Sequence, residues 1–94
     1  MENKNEKKIT KEDMDILINT ISHNFGSRIR RLRREYDLTQ KQVAEKLIIS
    51  ESTYAKWEQG RTEPSLLYLL LLTRVFEISL DEMFDFFPVG KKLE

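Results

Sequence analysis

The sequence predicts an all-α protein, and two observations support this. Apolar residues recur three and four positions apart through most of the chain, which places them on one face of successive helices. Several of these patterns also begin with a serine or threonine whose partner three positions later can complete a capping box. Such pairs are Thr10 with Asp13, Thr39 with Gln42, and Ser79 with Glu82. We therefore expect a compact domain of five helices, extended by an additional amphipathic helix at the N-terminus.

Length restricts the chain to one small domain. Its 94 residues are enough for one hydrophobic core. We expect residues 1–9 to form a disordered tail, residues 10–24 the additional helix, residues 25–85 the main domain and residues 86–94 a C-terminal tail.

The composition argues against several classes of protein. The chain has no cysteine, a single histidine (His23) and no glycine-rich phosphate loop, so we expect no metal, no cofactor and no enzymatic activity. Its longest apolar cluster, residues 66–72, is too short to span a membrane, and the N-terminus lacks the apolar core of a signal peptide. We expect a cytoplasmic protein with no membrane partner.

The additional helix is predicted to begin at Thr10. Its apolar stripe must be covered either by the domain itself or by another copy of the chain. The stripe consists of Met14, Leu17, Ile18, Ile21 and Phe25. We expect Gly26 and Ser27 to break this helix, with Ser27 capping the next one.

The next helix is expected to run to about Tyr36. Four of its residues are predicted to face inward: Phe25, Ile29, Leu32 and Tyr36. Four arginines leave on its other faces: Arg28, Arg30, Arg31 and Arg34.

Two short helical patterns then follow one another between residues 39 and 60, with almost no connection between them. Thr39 caps the first, Ser50 caps the second, and Gly60 supplies the left-handed residue that ends the second. Their expected core residues are Val43, Ala44, Leu47, Tyr54 and Trp57. Helices joined so tightly cross at a steep angle, as in a helix-turn-helix, whose second helix can enter the major groove of DNA.

A set of ordered landmarks extends over about 60 residues around this pair. They are the run Ile29, Leu32 and Arg33, then Thr39-Gln40, Val43-Ala44, residues 57–60 (WEQG), Pro64-Ser65 and residues 79–82 (SLDE). Residues 25–84 thereby resemble the helix-turn-helix DNA-binding domain of the Cro and phage-repressor (XRE) family. Ile48 replaces the glycine usual in the turn, and Glu77 the glycine usual before the last helix, so the turn at Ile48 is expected to be wider or shifted.

The resemblance implies roles for particular residues. It implies that Arg33 pairs with Glu58, whereas without it these are two independent surface charges. It also implies that Gln40 lies at the edge of the DNA groove. Residues 25–62 carry nine cations and five acids, and residues 63–94 three cations and six acids, so the basic part of the chain coincides with the helix-turn-helix.

The hydrogen-bonding groups on base edges suggest a DNA contact for each remaining polar residue of this region. Glu51 can accept from cytosine, Ser52 can serve several bases, and Lys56 can donate to guanine, whereas Arg61 and its neighbours are expected to hold phosphates. The predicted DNA-binding residues are Thr39, Gln40, Ser50, Glu51, Ser52, Thr53, Ala55, Lys56, Gln59, Arg61 and Thr62.

Pro64 and Ser65 begin a further, very apolar helix. We expect it to bury Leu66, Leu69, Leu70, Thr73 and Phe76. Apolar residues left outside this stripe, together with an extended apolar tail, are predicted to form a dimer or partner contact. That predicted contact consists of Leu67, Tyr68, Leu71, Phe86, Phe87 and Val89. The N-terminal helix is expected to lie against its own domain near Leu67 and Leu71, and the rival arrangement makes that helix the dimer interface.

Two functions follow from these patterns. The first is a transcriptional regulator of the repressor type that binds a palindromic operator in double-stranded DNA as a homodimer and is associated with the nucleoid when bound. The second is a protein-binding module, such as the antitoxin of a toxin–antitoxin pair, that binds DNA and also masks a protein partner.

Overall fold

The computed structural model describes residues 8–87, which form five helices. They are α1 (Lys11–Glu35), α2 (Gln40–Leu47), α3 (Glu51–Glu58), α4 (Leu66–Phe76) and α5 (Leu80–Met83). These residues contain no β-strand, and the predicted all-α fold is confirmed. None of the five helices is both long and apolar enough to cross a membrane.

Helix α1 runs without interruption through Gly26 and Ser27, so the expected break between two helices is wrong. The reason lies in α3, whose C-terminal end approaches α1 at Gly26. A Cβ atom on Gly26 would lie 2.6 Å from the carbonyl oxygen of Trp57 and closer still to that of Glu58. Glycine is therefore required here for close approach, and the additional helix and the first helix of the domain are one.

The predicted capping boxes are all confirmed. The hydroxyls of Thr10, Thr39 and Ser79 accept from the backbone N–H three residues later at 3.0, 3.0 and 3.1 Å. Ser50 and Ser65 cap α3 and α4 through the same kind of bond. Each bond satisfies a donor that the first turn of a helix leaves without a partner.

The first four helices all end in one backbone motif. A residue with positive φ follows each helix: Asp37, Ile48, Gly60 and Glu77. The N–H of the next residue then donates to the carbonyl five positions back, as from Ile49 to Ala44 at 3.0 Å. Ile48 adopts this conformation with φ 57° and ψ 48°, so the expected widening of the turn between α2 and α3 does not occur.

The core lies where α1, α2, α3, α4 and α5 meet. Its buried apolar residues are Phe25, Ile29, Leu32, Val43, Ala44, Leu47, Tyr54, Trp57, Leu72, Phe76 and Met83. Tyr36, which we expected inside, is 42% exposed, and its hydroxyl donates to the carbonyl of Phe76 at 2.9 Å.

The buried face of α4 differs from the predicted one. Leu72 and Phe76 are buried, and Leu66 and Leu70, expected inside, are exposed. The outward placement of Tyr68 and Leu71 is also wrong, because both pack partly buried against the core. Seven successive residues that are all apolar or aromatic carry no periodicity, so only the neighbouring helices choose the face that is buried.

The segment after α5 is not extended as expected. Phe86 packs partly buried against the core with its ring 5.7 Å from that of Phe84, and the N–H of Phe87 donates to the carbonyl of Phe84 at 2.9 Å. These residues therefore form a turn. Val89, also predicted at a dimer contact, lies outside the described residues.

The N-terminal part of α1 extends away from the rest of the molecule, whose overall dimensions are 56 × 23 × 20 Å. Met14, Ile16 and Ile18 are exposed, and so is Leu67, at 61%. The expected packing of this helix against its own domain near Leu67 and Leu71 is therefore wrong for its first turns, and only its later residues, such as Ile21, lie opposite Leu69 of the domain. A continuous α1 continues along its own axis and cannot fold back.

Candidate nucleic-acid interface

Helix α3 buries one face and exposes the other. Tyr54 and Trp57 lie in the core with their rings edge to face at 6.0 Å. The opposite face has small or polar side chains, and all of its predicted DNA-binding residues are exposed except Ala55, which is partly buried. The exposed residues are Glu51, Ser52, Thr53, Lys56 and Gln59. A helix with such a face can lie along a groove of DNA without steric conflict.

Arg33 of α1 and Glu58 at the end of α3 form a two-point ion pair. Nε of Arg33 donates to Oε2 of Glu58 at 2.7 Å, and the second bond, from Nη2 to Oε1, measures 3.1 Å. Glu58 is only 3% exposed, and the Arg33 side chain 13%. Burial disfavours the charged form of Glu58 and by itself would raise the pKa of its carboxyl group. The hydrogen bonds that the carboxylate accepts, from Arg33 and also from Gln40, outweigh burial and lower this pKa.

Two further residues converge on Glu58. Gln40 donates from Nε2 to Oε1 of Glu58 at 3.0 Å, which fixes the side chain that we expected at the edge of the DNA groove. Arg30 donates to the backbone carbonyl of Glu58 at 3.3 Å, and its Nε lies 3.5 Å from the carboxylate. Sequence reasoning placed Arg30 on an outer face and missed this contact, although its position three residues before Arg33 indicates a shared face.

The hydroxyl of Tyr54 is buried close to the same cluster. Burial, together with the nearby Glu58 carboxylate, raises the pKa of this hydroxyl. The oxygen nevertheless has no hydrogen-bond partner of good geometry among the described residues. Tyr54 therefore belongs to the core and is not available to DNA.

Helix α1 contacts the end of α3 along one stripe. Gly26 lies against the carbonyl oxygens of Trp57 and Glu58, and a Cβ on Gly60 would lie 2.8 Å from Nδ1 of His23. Arg30 and Arg33 continue the same stripe, so the contacts recur every three or four residues along α1. This stripe fixes the position of α3 relative to α1.

The hydroxyl-bearing residues of the predicted set divide into two groups. Thr39, Ser50 and Thr53 already take part in caps, with Ser50 and Thr53 also sharing a side-chain hydrogen bond of 2.8 Å. Ser52 is exposed and outside this capping network, so its hydroxyl is free to meet a base or phosphate. Thr62 is exposed but lines an apolar groove beside α1.

The charged members of the set lie on the surface. Lys56 is exposed on α3, and Arg61 is exposed directly after the left-handed Gly60. Glu51 lines an open polar depression together with Arg34, Thr39 and Gln40, and it forms no salt bridge among the described residues. Arg34 is thus a basic residue that lines the same depression as Glu51.

Comparison with known proteins gives a consistent result. A family model described as helix-turn-helix matches residues 29–83. The chain is 34% identical over 59 residues to the HTH-type transcriptional activator BcrR of Enterococcus faecalis, covering 63% of this chain and 29% of that protein. It is 39% identical over 57 residues to the HTH-type transcriptional regulator YobD of Bacillus subtilis (strain 168), covering 61% of this chain and 51% of the relative.

A third relative is the cryptic phage CTXphi transcriptional repressor RstR of Vibrio cholerae, which is 34% identical over 59 residues, with 63% of this chain and 53% of the repressor covered. The chain thus spans between about a third and about half of the length of these relatives. The family model covers more than half of the chain and runs from Ile29, within α1, to Met83 at the end of α5. The chain belongs to the helix-turn-helix family of the Cro and phage-repressor (XRE) type.

Proposed function

We propose that the chain is a sequence-specific transcriptional regulator that binds double-stranded DNA with α3 in the major groove. The observation that carries this proposal is the exposed face of α3, which has small and polar side chains while its opposite face is anchored in the core. The names of the relatives, which include transcriptional regulators, support it. Such a regulator acts in the cytoplasm, on the nucleoid.

The proposed contacts divide into those that read bases and those that hold the backbone. Glu51, Ser52 and Lys56 reach base edges, because they lie on the exposed side of α3. Gln40 and Arg61 lie before and after α3 along the chain and contact phosphates. The Glu58 cluster supports both groups, since it holds Gln40 and the end of α3 in one arrangement.

The proposal extends to a repressor that binds a palindromic operator as a homodimer. Two copies of α3 related by a two-fold axis read two half-sites about one helical turn of DNA apart. Among the relatives' names are both an activator and a repressor. A promoter–reporter assay with the selected operator placed over the promoter therefore measures the sign of regulation.

Selection of binding sites from random duplex DNA tests the function directly. We expect an enriched motif with two-fold symmetry, and we expect Lys56→Ala to lose preference at one base pair per half-site, by about 1–3 kcal/mol of discrimination. Lys46→Ala is a matched control, because Lys46 is an exposed lysine on α2 outside the predicted contact set. Failure to enrich any motif contradicts the proposed function, and an unchanged motif with Lys56→Ala removes Lys56 from the base contacts.

A further inference from the structure

An apolar groove runs along α1 on the side of the α3–α4 connection. One wall of the groove consists of Ile18, Ile21 and Phe25. The opposite wall consists of Pro64, Leu69 and Phe84. The volume of the groove is about 280 Å³. At one point the hydroxyl of Ser22 donates to Oε2 of Glu63 at 2.8 Å, which links α1 to the opposite wall.

The apolar stripe of this groove continues beyond the domain. Met14 and Ile18 precede Ile21 and Phe25 at spacings of four, three and four residues, so all four lie on one side of α1. Met14 and Ile18 are 46% and 47% exposed, whereas Phe25 is buried and Ile21 partly buried. The stripe therefore has a more exposed half, Met14 and Ile18, and a more buried half, Ile21 and Phe25, and Ile18 lies where the groove ends and the exposed half begins.

The two halves of this stripe are complementary to each other. If a second copy of α1 lies antiparallel with the two-fold axis midway between Ile18 and Ile21, Ile18 of one copy faces Ile21 of the other, and Met14 faces Phe25. The spacing of four, three and four residues is that of helices that pack side by side. Each copy then inserts its exposed half into the other copy's groove.

Charge favours the antiparallel direction over the parallel one. The first turns of α1 carry Glu12, Asp13 and Asp15 against one cation, Lys11. Residues 28–35 carry five arginines and one acid, and Arg31 and Arg34 form no salt bridge among the described residues. In a parallel pair, each of these charged ends would lie beside the same end of the other α1 helix, so like charges would meet. Antiparallel pairing separates like charges. It also makes the two helix dipoles point in opposite directions, which is favourable for helices that lie side by side.

We propose that the groove of α1 is the docking site of the same segment of a second copy, so that residues 14–25 pair antiparallel in a homodimer. The inference rests on the homodimer of the proposed function and identifies the surface that forms it. It replaces the predicted contact through Leu67, Tyr68, Leu71, Phe86, Phe87 and Val89. Val89 lies outside the described residues, and of the other five only Leu67 is exposed.

This pairing also sets the positions of the two recognition helices. Helix α1 is continuous from the paired segment to Gly26, Arg30 and Arg33, which contact the end of α3. A contact between two α1 helices therefore fixes the separation of two α3 helices without a flexible connection between them.

Sedimentation equilibrium of the full chain without DNA tests the pairing. We expect the wild-type protein to be a dimer and Ile18→Lys to raise the dimer dissociation constant by roughly 100-fold or more, because each dimer then buries two unpaired cations. Ile16→Lys is the matched control, since Ile16 is 63% exposed and lies off the stripe, and it is expected to remain dimeric. Circular dichroism confirms that both variants fold, because neither site is in the core.

Chemical cross-linking tests the direction of pairing, and the absence of native cysteine makes single substitutions sufficient. With a short bismaleimide, Ile18→Cys is expected to cross-link and Met14→Cys is not, since antiparallel copies of residue 14 lie roughly 16 Å apart along the helix axis. Cross-linking at both positions indicates parallel pairing and overturns the proposal.

The remaining outcomes are equally decisive. A monomeric wild-type protein, or a dimer unaffected by Ile18→Lys, overturns the proposal. Failure of the proposed DNA-binding function can be distinguished from failure of the proposed pairing. A dimer that cross-links at Ile18→Cys but selects no DNA motif contradicts only the proposed function. Ile18→Lys is expected to retain binding to a single half-site.

Discussion

Glu58 shows how single side chains hold the proposed recognition helix in place. Its carboxylate lies at the C-terminal end of α3, where the helix dipole disfavours a negative charge. Arg33 and Gln40 donate to it, and Arg30 donates to its backbone carbonyl. The buried charge is thus compensated by groups from α1 and α2, which join all three helices at one point.

A double-mutant cycle tests the ion pair. Arg33→Met leaves the buried carboxylate with fewer donors, and Glu58→Gln leaves the arginine without its partner, so each is expected to reduce the free energy of unfolding by about 3 kcal/mol. The double mutant is expected to lose less than the sum, as thermal melts will measure. Strictly additive losses contradict a direct interaction.

The lowered pKa of Glu58 predicts how stability depends on pH. A carboxyl group whose pKa is lower in the folded than in the unfolded protein contributes its full stabilisation above the unfolded value of about 4.5. This contribution disappears as the pH falls from there through the folded pKa. Thermal melts between pH 7 and pH 3 should therefore show a smaller loss of stability for Glu58→Gln than for the wild type, and equal losses argue against this role.

Ile48 is a β-branched residue in a conformation that favours glycine, with φ 57°. Its side chain is 90% exposed, so removing it costs no core packing. We expect Ile48→Gly to stabilise the protein by about 0.5–1 kcal/mol, because relief of strain exceeds the added entropy of the unfolded chain. Chemical denaturation measures the change, and a destabilised variant means that the added entropy of the unfolded chain exceeds the relief of strain.

At the scale of elements, α1 determines most of the arrangement. One of its stripes contacts the end of α3 through Gly26, Arg30 and Arg33, and a neighbouring stripe forms the apolar groove. Both depend on the helix remaining regular through Gly26. The position of α3 is therefore sensitive to changes in α1 that lie outside the proposed DNA contacts.

Gly26→Ala tests this dependence. In an exposed helix the change from glycine to alanine stabilises by up to about 1 kcal/mol, but here the new methyl group would overlap the backbone of α3. We expect a loss of about 1–3 kcal/mol and weaker DNA binding, as denaturation and titration with duplex DNA will measure. Ser27→Ala, at the next and exposed position, is the control and should be neutral or slightly stabilising. A neutral Gly26→Ala means that α3 does not lie so close.

At the scale of the whole molecule, the charges are distributed unevenly although the net charge is zero. Residues 25–62 have a net charge of +4, and residues 63–94 a net charge of −3. The basic part contains the helix-turn-helix and is expected to face the phosphate backbone. The acidic part is expected to face away from DNA and to limit binding in other orientations.

DNA affinity should therefore fall steeply as salt concentration rises, because lysine and arginine side chains that bind phosphates release counterions from the duplex. Arg61→Ala is expected to reduce the slope of log Kd against log salt by about 1 and to weaken all sequences similarly. Arg74→Ala, an exposed arginine in the acidic part, is the control and should leave the slope unchanged. If both variants change it equally, Arg61 makes no specific phosphate contact.

The sequence by itself determined the helical class, the caps at Thr10, Thr39, Ser50 and Ser79, and the exposed face of α3. These features depend on residues within one or two turns of each other, so the local pattern is sufficient to predict them. Only the tertiary structure decided the continuity of α1, the buried face of α4 and the contact of Arg30 with Glu58. The sequence around Gly26 looks the same whether the glycine breaks a helix or allows another backbone to approach closely. The apolar residues of α4 have no periodicity, so the sequence does not indicate which face of this helix is buried. In each case the outcome depends on which distant segment packs there, and that information is absent from local spacing.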